Sequence, residues 1–535
     1  MARQANAGKL YLAAVSFFSL FALAASTQAT PVQTPDVYVY DIGVDGGNTN
    51  DIRYWGQSSG IAAYSIATQS CNAGSATLDW FDSGGDTRHP VISQNMFRLK
   101  DGRFEHIGQS WLKHGFCAVN EFEVDCGPCS STSCNTLGLG CADTYWASLN
   151  DGASGRSKRF VNATSGEHTD STPGPTGVLP IRGRLQVAVS DIDPAQNPGA
   201  EYFIEGHYVT ADDAAANNDR NNASWRKLNV VGVNNLDGGG DTVTEQAAIY
   251  AWRAEDPGVT IRNGVNNESG RATFFFLGYK AEQTGPTTWT YEYAIQNMNS
   301  DQSARSFSVP VPGATTVSNI GFHDVDYHSG DPYDLTDWPG TNSGGNVTWQ
   351  TDDFATNANA NALRWGTLYN YRFEANAPPI QVTATIGLFK PGTNTEVTVT
   401  VDGPDIGSSM CLNSASVATR NGGANLNTYS ANAPSTGGVV NFNVTGDYSF
   451  GLMFAYGGPA SIPLANGQVI LSDPGSAFIF SKAITGLPAG SATENVPTNL
   501  ALCGFTAYTQ VIMSGPTAGG PPIQLTNSQD LTIGF

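Results

Sequence analysis

The sequence predicts a mainly β protein, because composition and periodicity both favour short strands joined by turns. Glycine (60 residues) and proline (28) are abundant, and charged residues make up only 14% of the chain, which suits strands and turns better than long helices. Hydrophobic residues, at 40%, are sufficient to build cores. We therefore expect a cystine-rich N-terminal region, a central β-sandwich or jelly roll, and a C-terminal β domain.

The N-terminus predicts export. Arg3 and Lys9 give a positive start, residues 10–25 form an apolar run, and residues 27–29 offer the small side chains of a cleavage site. The run is short for a membrane span, so residues 1–29 are interpreted as a signal peptide cleaved near Ala29. No later segment is apolar enough to span a membrane, and the mature chain is expected to be secreted.

The charge narrows the expected partners. The formal net charge is −21, and removal of Arg3 and Lys9 makes it −23, so nucleic acid and anionic lipid are excluded as partners. Cations and neutral glycans remain compatible with this charge. An extracellular polysaccharide or a cell surface is the expected partner.

The eight cysteines fall into two sets, six between Cys71 and Cys141 and two at Cys411 and Cys503. After an export signal, even numbers in each set predict three bridges in the first region and one in the last. Six cysteines allow fifteen pairings, and the sequence does not choose among them. The competing interpretation is a zinc site, whose four ligands would be Cys126, Cys129, Cys134 and Cys141.

The expected regions run from 30 to 178, from 179 to 375 and from 376 to 535. In the first, an alternating run at 37–40 predicts a strand, and Asp101-Gly102 between alternating segments predicts a hairpin. Residues 211–218 could form one helical turn. The second region should hold a strand in each of seven runs, with residues 362–373 as its closing strand: 185–189, 202–209, 227–233, 247–253, 272–279, 289–295 and 306–311.

Residues 322–338 are the strongest candidate site, because they contain two of the seven histidines and five aspartates. If residues 322–328 are extended, alternation places Asp324, Asp326 and His328 on one face. Such a mixed set could hold a transition metal such as copper or zinc, and the carboxylates alone would suit calcium. No organic cofactor is expected.

Further ligands for that metal must come from other histidines. His323 is adjacent in sequence but on the opposite face of the same strand, and His207 alternates with Glu205 on a predicted strand. His106 and His114 are also available, but on one strand they would lie roughly 26 Å apart. Calcium could also bind the acidic, glycine-rich loops at 41–51, 191–197 and 235–241.

Glu121, Glu123 and Asp125 form a second, weaker constellation. On a strand they share one face, as the acid and nucleophile of a retaining glycosidase would. The run is similar to the Glu-x-Asp-x-Glu strand of jelly-roll glucanases, but Glu and Asp are exchanged at the second and third positions.

Several longer segments carry a resemblance. YEYAIQNMNSDQSARSFSVPVPG, GFHDVDYHSGDPYDLTDW, ALRWGTLYNYRFEANAPP and the ending LTNSQDLTIGF resemble those of a large, functionally uncharacterised family of exported proteins from environmental bacteria. The resemblance covers most of the mature chain and implies export. It supplies no catalytic residues.

Two classes of function remain open. One is a secreted surface or matrix protein that binds glycan, calcium or both, with Trp338, Trp349 and Tyr333 as candidate sugar-stacking rings. The alternative is an exported enzyme on an extracellular polymer, either metal-dependent at the aspartate–histidine face or a glycoside hydrolase at Glu121, Glu123 and Asp125.

Overall fold

The computed structural model describes most of the chain, and its architecture is almost entirely β, which confirms the predicted fold class. The described ranges are 34–43, 52–81, 85–120, 126–152, 155–169, 172–312, 315–405, 414–497, 502–517 and 519–534. The predicted signal peptide, residues 1–29, lies outside them.

Fourteen strands lie in the described residues of the first part of the chain. They are β1 Val37–Ile42, β2 Ile52–Ser58, β3 Ile61–Ile66, β4 Thr68–Asn72, β5 Leu78–Asp79, β6 Val91–Lys100, β7 Arg103–Gln109, β8 Lys113–His114, β9 Thr136–Leu137, β10 Ala142–Tyr145, β11 Leu185–Ala188, β12 Glu201–Val209, β13 Ala223–Gly232 and β14 Asn235–Val243. The run at 37–40 therefore forms a strand, as predicted. The short helices α1 Val189–Ile192 and α2 Ala211–Ala216 and a 3-10 helix, Lys158–Phe160, interrupt them.

A nine-stranded sheet dominates this part, in the order β14-β13-β12-β6-β7-β11-β3-β2, with β8 paired to β6. Strands from both sides of residue 178 alternate within it, so the two regions divided there in the sequence prediction share one sheet. A smaller sheet, β1-β4-β10, and the pair β5-β9 complete this part.

The hairpin predicted at Asp101-Gly102 joins β6 to β7. Both turn residues have positive φ, 52° and 78°, as a two-residue type I′ turn requires. Eight of the ten residues of β6 are buried, because β6 lies in the interior of the sheet, between β12 and β7.

Three disulfides fasten the segment between β4 and β10: Cys71–Cys126, Cys117–Cys134 and Cys129–Cys141. The prediction of three bridges here is confirmed. The zinc alternative was wrong, because all four of its cysteines are bonded in these disulfides. Cys503 is disulfide-bonded as well, and Cys411 lies outside the described residues.

A β-sandwich follows. Its strands are β15 Thr260–Glu268, β16 Arg271–Gly285, β17 Thr288–Asn297, β18 Ala304–Pro310, β19 Val317–His323, β20 Gly340–Ser343, β21 Asn346–Gln350, β22 Thr367–Ala375, β23 Pro379–Leu388 and β24 Glu396–Pro404. The sheets are β15-β16-β17-β22-β19 and β20-β21-β18-β23-β24.

The core of the sandwich is rich in tyrosine, tryptophan and phenylalanine. In β23, residues Val382, Ala384, Ile386 and Leu388 alternate into it, as a strand with one solvent face should. Because β23 pairs with β18, the boundary predicted at residue 375 lies inside one continuous core.

One predicted strand is a helix. Residues 247–253 were expected to be extended, but α3, Ile249–Glu255, forms there. Its sequence, IYAWRAE, contains good helix formers, and it buries Ile249 and Trp252 among residues of β16 and β17.

Among the described residues of the final part, ten further strands form a core of their own. They are β25 Ser416–Arg420, β26 Tyr429–Ala431, β27 Val439–Thr445, β28 Tyr448–Tyr456, β29 Pro459–Pro463, β30 Val469–Ser472, β31 Phe478–Ile484, β32 Ala489–Asn495, β33 Thr506–Pro516 and β34 Ile523–Thr532. They form the sheets β25-β34-β33-β28-β31 and β26-β27-β32 and the pair β29-β30.

Candidate metal centre

Three histidines from separate segments meet beside the nine-stranded sheet. His89 immediately precedes Pro90 and β6, and His114 lies in β8, where it pairs with Val91 of β6. His168 reaches the same place through a bridge between its backbone and that of Val161. A hydrogen bond next to the pairing of β6 with β8, from Gly115 N to Pro90 O at 2.8 Å, holds these two strands in register.

The ring nitrogens of these histidines converge. His89 Nε2 lies 3.0 Å from His114 Nδ1 and 3.2 Å from His168 Nε2, and one ligand atom from each ring lies within 4.8 Å of the others. Two imidazole nitrogens bound 2.0–2.1 Å from a tetrahedral ion lie about 3.3 Å apart. The observed separations are close to that value.

The second nitrogen of His89 is fixed by the backbone. His89 Nδ1 lies 2.6 Å from the carbonyl oxygen of Phe81, and a carbonyl can only accept, so Nδ1 carries the proton. Nε2 therefore presents its lone pair to His114 and His168. A hydrogen bond from the distal ring nitrogen to a carbonyl is the usual way in which proteins orient a metal-binding histidine.

Burial keeps His114 neutral. It lowers the pKa of His114 to about 3, helped by the nearby His168 and His89 rings and by Arg156. The neutral imidazole is the form that binds metals. His114 Nε2 is buried and makes no hydrogen bond within the described ranges.

The donor set selects the class of ion. These three histidines are the one group among the described residues in which three or more His, Cys, Asp or Glu ligand atoms lie within 4.8 Å of one another. Imidazoles suit zinc, copper, iron and nickel, whereas calcium requires oxygen ligands. Three protein ligands leave the fourth tetrahedral position open. His168 also lines a solvent-open cleft, so the group of three histidines lies next to solvent.

The side chains of the aspartate–histidine stretch divide between two surroundings. β19 ends at His323, so residues 324–328 lie beyond its last paired residue. His323, Asp324 and Asp326 line a cleft of about 1020 Å³ together with Asp191 and Asp337. His328 is instead buried, with its ring 5.2 Å from that of Trp111.

The environment of the cleft raises the pKa of Asp324 and of Asp326. Burial raises the pKa of Asp324 to about 6 against the hydrogen bond that Asn361 Nδ2 donates to it. Burial likewise raises the pKa of Asp326, and it lowers that of His328 to about 4. A metal bound by Asp324, Asp326 and His328 stays a prediction, and these side chains do not form a close ligand group like that of the three histidines.

His106 and His207 have other surroundings. His106 Nε2 donates to Gly108 O at 2.9 Å, and its Nδ1 accepts from Leu368 N at 3.2 Å. Both nitrogens of His106 are thus engaged by the backbone. His207 is buried edge-on to Trp365, and burial lowers its pKa to about 3.

Most residues of the predicted calcium loops and most of the predicted sugar-stacking rings already make contacts within the protein. The arginine Arg98 pairs with Asp191 and bonds Asn197, and residues 235–241 belong to β14. Trp338 and Trp349 are buried in the sandwich core, and the guanidinium of Arg364 covers Tyr333 at 3.5 Å from its ring centroid. Residues 44–51 and the triad Glu121, Glu123 and Asp125 lie outside the described residues.

The sequence prediction missed two of the three clustered histidines. His89 has no second ligand type at i+2 or i+4, and His168 has only Asp170 at i+2. The fold, and no pattern shared by the two sequences, brings both histidines to His114. Pro90 and Gly115, which shape the approach of β6 and β8, are weak signals at best.

Comparisons with protein-family models and with curated proteins found no relative of this chain. No protein-family model matches the chain, and no curated protein matches it significantly. No helix in the described ranges is both long and apolar enough to cross a membrane.

Proposed function

We propose that this protein is exported and binds one divalent transition-metal ion, zinc or copper, through His89, His114 and His168. The observation that carries the proposal is the convergence of three ring nitrogens. His89 Nε2 lies 3.0 Å from His114 Nδ1 and 3.2 Å from His168 Nε2. The three disulfides support the extracellular setting, because such bonds persist in oxidising compartments.

A set of three protein ligands favours a catalytic metal site over a purely structural one. Structural zinc sites use four protein ligands, whereas catalytic sites keep a fourth position for water or substrate. A divalent ion held by three neutral imidazoles keeps its full charge, and it would polarise a bound water or carbonyl there. This favours the metal-dependent enzyme over calcium binding, the other metal role that the sequence suggested.

Metal analysis of the purified chain tests the proposal. The protein is stripped with a chelator, dialysed against Zn²⁺, Cu²⁺ or Ca²⁺, and analysed for bound metal per chain. We expect one equivalent of Zn²⁺ or Cu²⁺ and no competition from Ca²⁺. With Co²⁺ as a probe, tetrahedral nitrogen ligation should give intense visible absorption.

Matched histidine variants locate the site. His114→Ala and His168→Ala should each weaken Zn²⁺ binding by more than the roughly 10–100-fold that loss of an outer hydrogen-bond partner costs. His323→Ala, which removes a histidine of the aspartate-lined cleft, is the control and should leave affinity unchanged. Stoichiometric Zn²⁺ binding that survives both cluster variants, or no binding by the wild type, would refute the proposal.

Glycan binding remains the second functional prediction from the sequence. Seven of the ten tryptophans are buried, so a sugar-binding surface would depend on other rings. A glycan array on the metal-free and metal-loaded protein tests this function separately from metal analysis.

A further inference from the structure

Lys158, Asn95 and Glu205 bring an amine, an amide and a carboxylate together inside the protein, away from the three clustered histidines. Asn95 of β6 and Glu205 of β12 are directly opposite each other on neighbouring strands of the nine-stranded sheet. Lys158 is the first residue of the 3-10 helix, and its side chain contacts Asn95 across a sequence separation of 63. The fold therefore places a potential nucleophile beside a side-chain amide.

The amine nitrogen lies close to the carbon that it would attack. Lys158 Nζ is 3.2 Å from Asn95 Oδ1. The amide carbon Cγ is bonded to that oxygen at about 1.2 Å, so it lies within about 4.4 Å of Nζ. Reacting atoms react from separations of roughly 3–3.5 Å, so a shift of about 1 Å in the lysine side chain would bring Nζ against Cγ.

The environment of Lys158 favours the neutral amine. The other contacts of Nζ are two uncharged oxygens, Gln109 Oε1 at 3.3 Å and Gly366 O at 3.4 Å. Burial lowers the pKa of Lys158 to about 7, against the attraction of Glu205 and Asp331. A substantial fraction of this amine is therefore unprotonated at neutral pH, and the unprotonated amine is the nucleophile.

Glu205 is placed to move a proton to the nitrogen that would leave. Asn95 Nδ2 donates to Glu205 Oε1 at 2.8 Å, within the range for general acid–base catalysis. The other carboxylate oxygen accepts from Ala248 N at 2.6 Å and from Gln296 Nε2 at 2.7 Å, which fixes the orientation of the group. Burial raises the pKa of Glu205 against these hydrogen bonds. Its pKa is thereby brought closer to that of Lys158, which eases proton transfer between them.

The surroundings exclude bulk water but leave room for a small product. Asn95 and Glu205 are each 0% exposed, and the ring of Trp365 lies 5.7 Å from Lys158 Nζ. The cavity beside Lys158 has a volume of about 40 Å³, which holds about three waters. It is too small for an organic ligand but large enough for ammonia. Arg159, which is exposed, also lines this cavity and connects it with solvent.

We propose that Lys158 and Asn95 become joined by an intramolecular isopeptide bond, with Glu205 as the proton-transfer group. The lone pair of Lys158 Nζ attacks Asn95 Cγ, and Glu205 takes a proton from Nζ and delivers it to Nδ2. The Cγ–Nδ2 bond then breaks, one ammonia leaves, and a new amide joins Nζ to Cγ. Glu205 ends as the carboxylate with which it began, so the reaction requires no oxidant, cofactor or second protein.

The bond would fasten the 3-10 helix to the interior strand β6. A cross-link between positions 63 residues apart restricts the unfolded chain and thereby favours the folded state. Unlike the three disulfides, an amide is not broken by thiols. The proposal does not depend on the metal centre, because none of the three clustered histidines takes part in the reaction.

Mass spectrometry of the purified, disulfide-reduced chain tests the proposal. We expect the wild-type mass to be lower by about 17 Da, the mass of one ammonia, than the mass of the unlinked chain. Trypsin should release residues 89–98 joined to residues 157–159. The second peptide should stay uncut after Lys158, because trypsin does not cleave beside an acylated lysine.

Matched variants assign the roles of the residues. Lys158→Met should lack the ammonia loss, whereas Lys280→Met, which removes a lysine paired with Asp256 elsewhere, should retain it. Glu205→Gln keeps the size of the side chain but cannot accept the proton, so most of its chains should remain unlinked.

The wild-type mass decides the matter even if a variant does not fold. The proposal is overturned if the wild-type chain has the full unlinked mass, or if the ammonia loss persists in Lys158→Met. A peptide that links Lys158 to residues 104–113, which contain Gln109, would overturn the assignment of Asn95. Complete linkage in Glu205→Gln would overturn the role of Glu205.

Discussion

Asp324→Asn should stabilise the protein at neutral pH. Burial raises the pKa of Asp324 from 3.8 to about 6, so the folded state holds this proton more tightly than the unfolded state does. Between these two pKa values, a rise in pH ionises the unfolded chain first, and the native state loses stability. The amide keeps an oxygen that can accept the hydrogen bond from Asn361 Nδ2 and cannot ionise.

The size of the effect follows from the two pKa values. Their difference, at 1.36 kcal/mol for each pKa unit, corresponds to about 3 kcal/mol. Asp324 is half-buried at the edge of a cleft, and solvent screening reduces that figure to about 2 kcal/mol. The gain should be present at pH 7 and vanish at pH 4 and below.

Urea unfolding followed by tryptophan fluorescence measures this difference. All ten tryptophans lie between Trp55 and Trp365, so the signal reports on the part of the chain that contains Asp324. Asp352→Asn, at an exposed position, is the control and should change stability little. A variant that is equally or less stable than wild type at pH 7, or a gain that persists at pH 4, would refute the assignment of a raised pKa.

Two further outcomes follow from the fold. The double variant Cys71→Ser, Cys126→Ser removes the disulfide that closes a loop with a sequence separation of 55. It should lower the free energy of unfolding by about 4 kcal/mol. A melting temperature equal to that of wild type would contradict this. Trp338→Ala removes a side chain that is 1% exposed and stacks on Phe322. It should cost about 3–5 kcal/mol while leaving Zn²⁺ affinity unchanged, and a parallel loss of Zn²⁺ affinity would show that the sandwich core supports the metal centre.

Local patterns predicted much of the fold but little of the candidate site. Alternation of apolar residues identifies β12 and β23, and Asp101-Gly102 identifies the turn between β6 and β7, because these signals depend only on neighbouring residues. The helix α3 was missed because a short apolar run fits either period. The end of β19 at His323 was missed because the five-aspartate segment beyond it leaves the sheet. The periodicity of apolar residues does not show where a strand loses its hydrogen-bonded neighbour.

The metal centre depends on long-range contacts. His89 is 25 residues from His114 and 79 from His168, and the pairing of β8 with β6 and the bridge at Val161 bring them together. A search for the densest group of histidines and aspartates therefore selected Asp324, Asp326 and His328 and passed over isolated histidines in loops.

The interleaved order of the nine-stranded sheet has a consequence for how the chain folds. β11 inserts between β7 and β3, and β12 pairs with β6, so β3, β6 and β7 each lack one neighbouring strand until about residue 209 has been synthesised. Contacts of such high sequence separation form slowly, and unpaired strand edges can associate with other chains in the interval. We expect refolding yields to fall with protein concentration, and the Cys71–Cys126 bond, by shortening the search within the first segment, to reduce that loss.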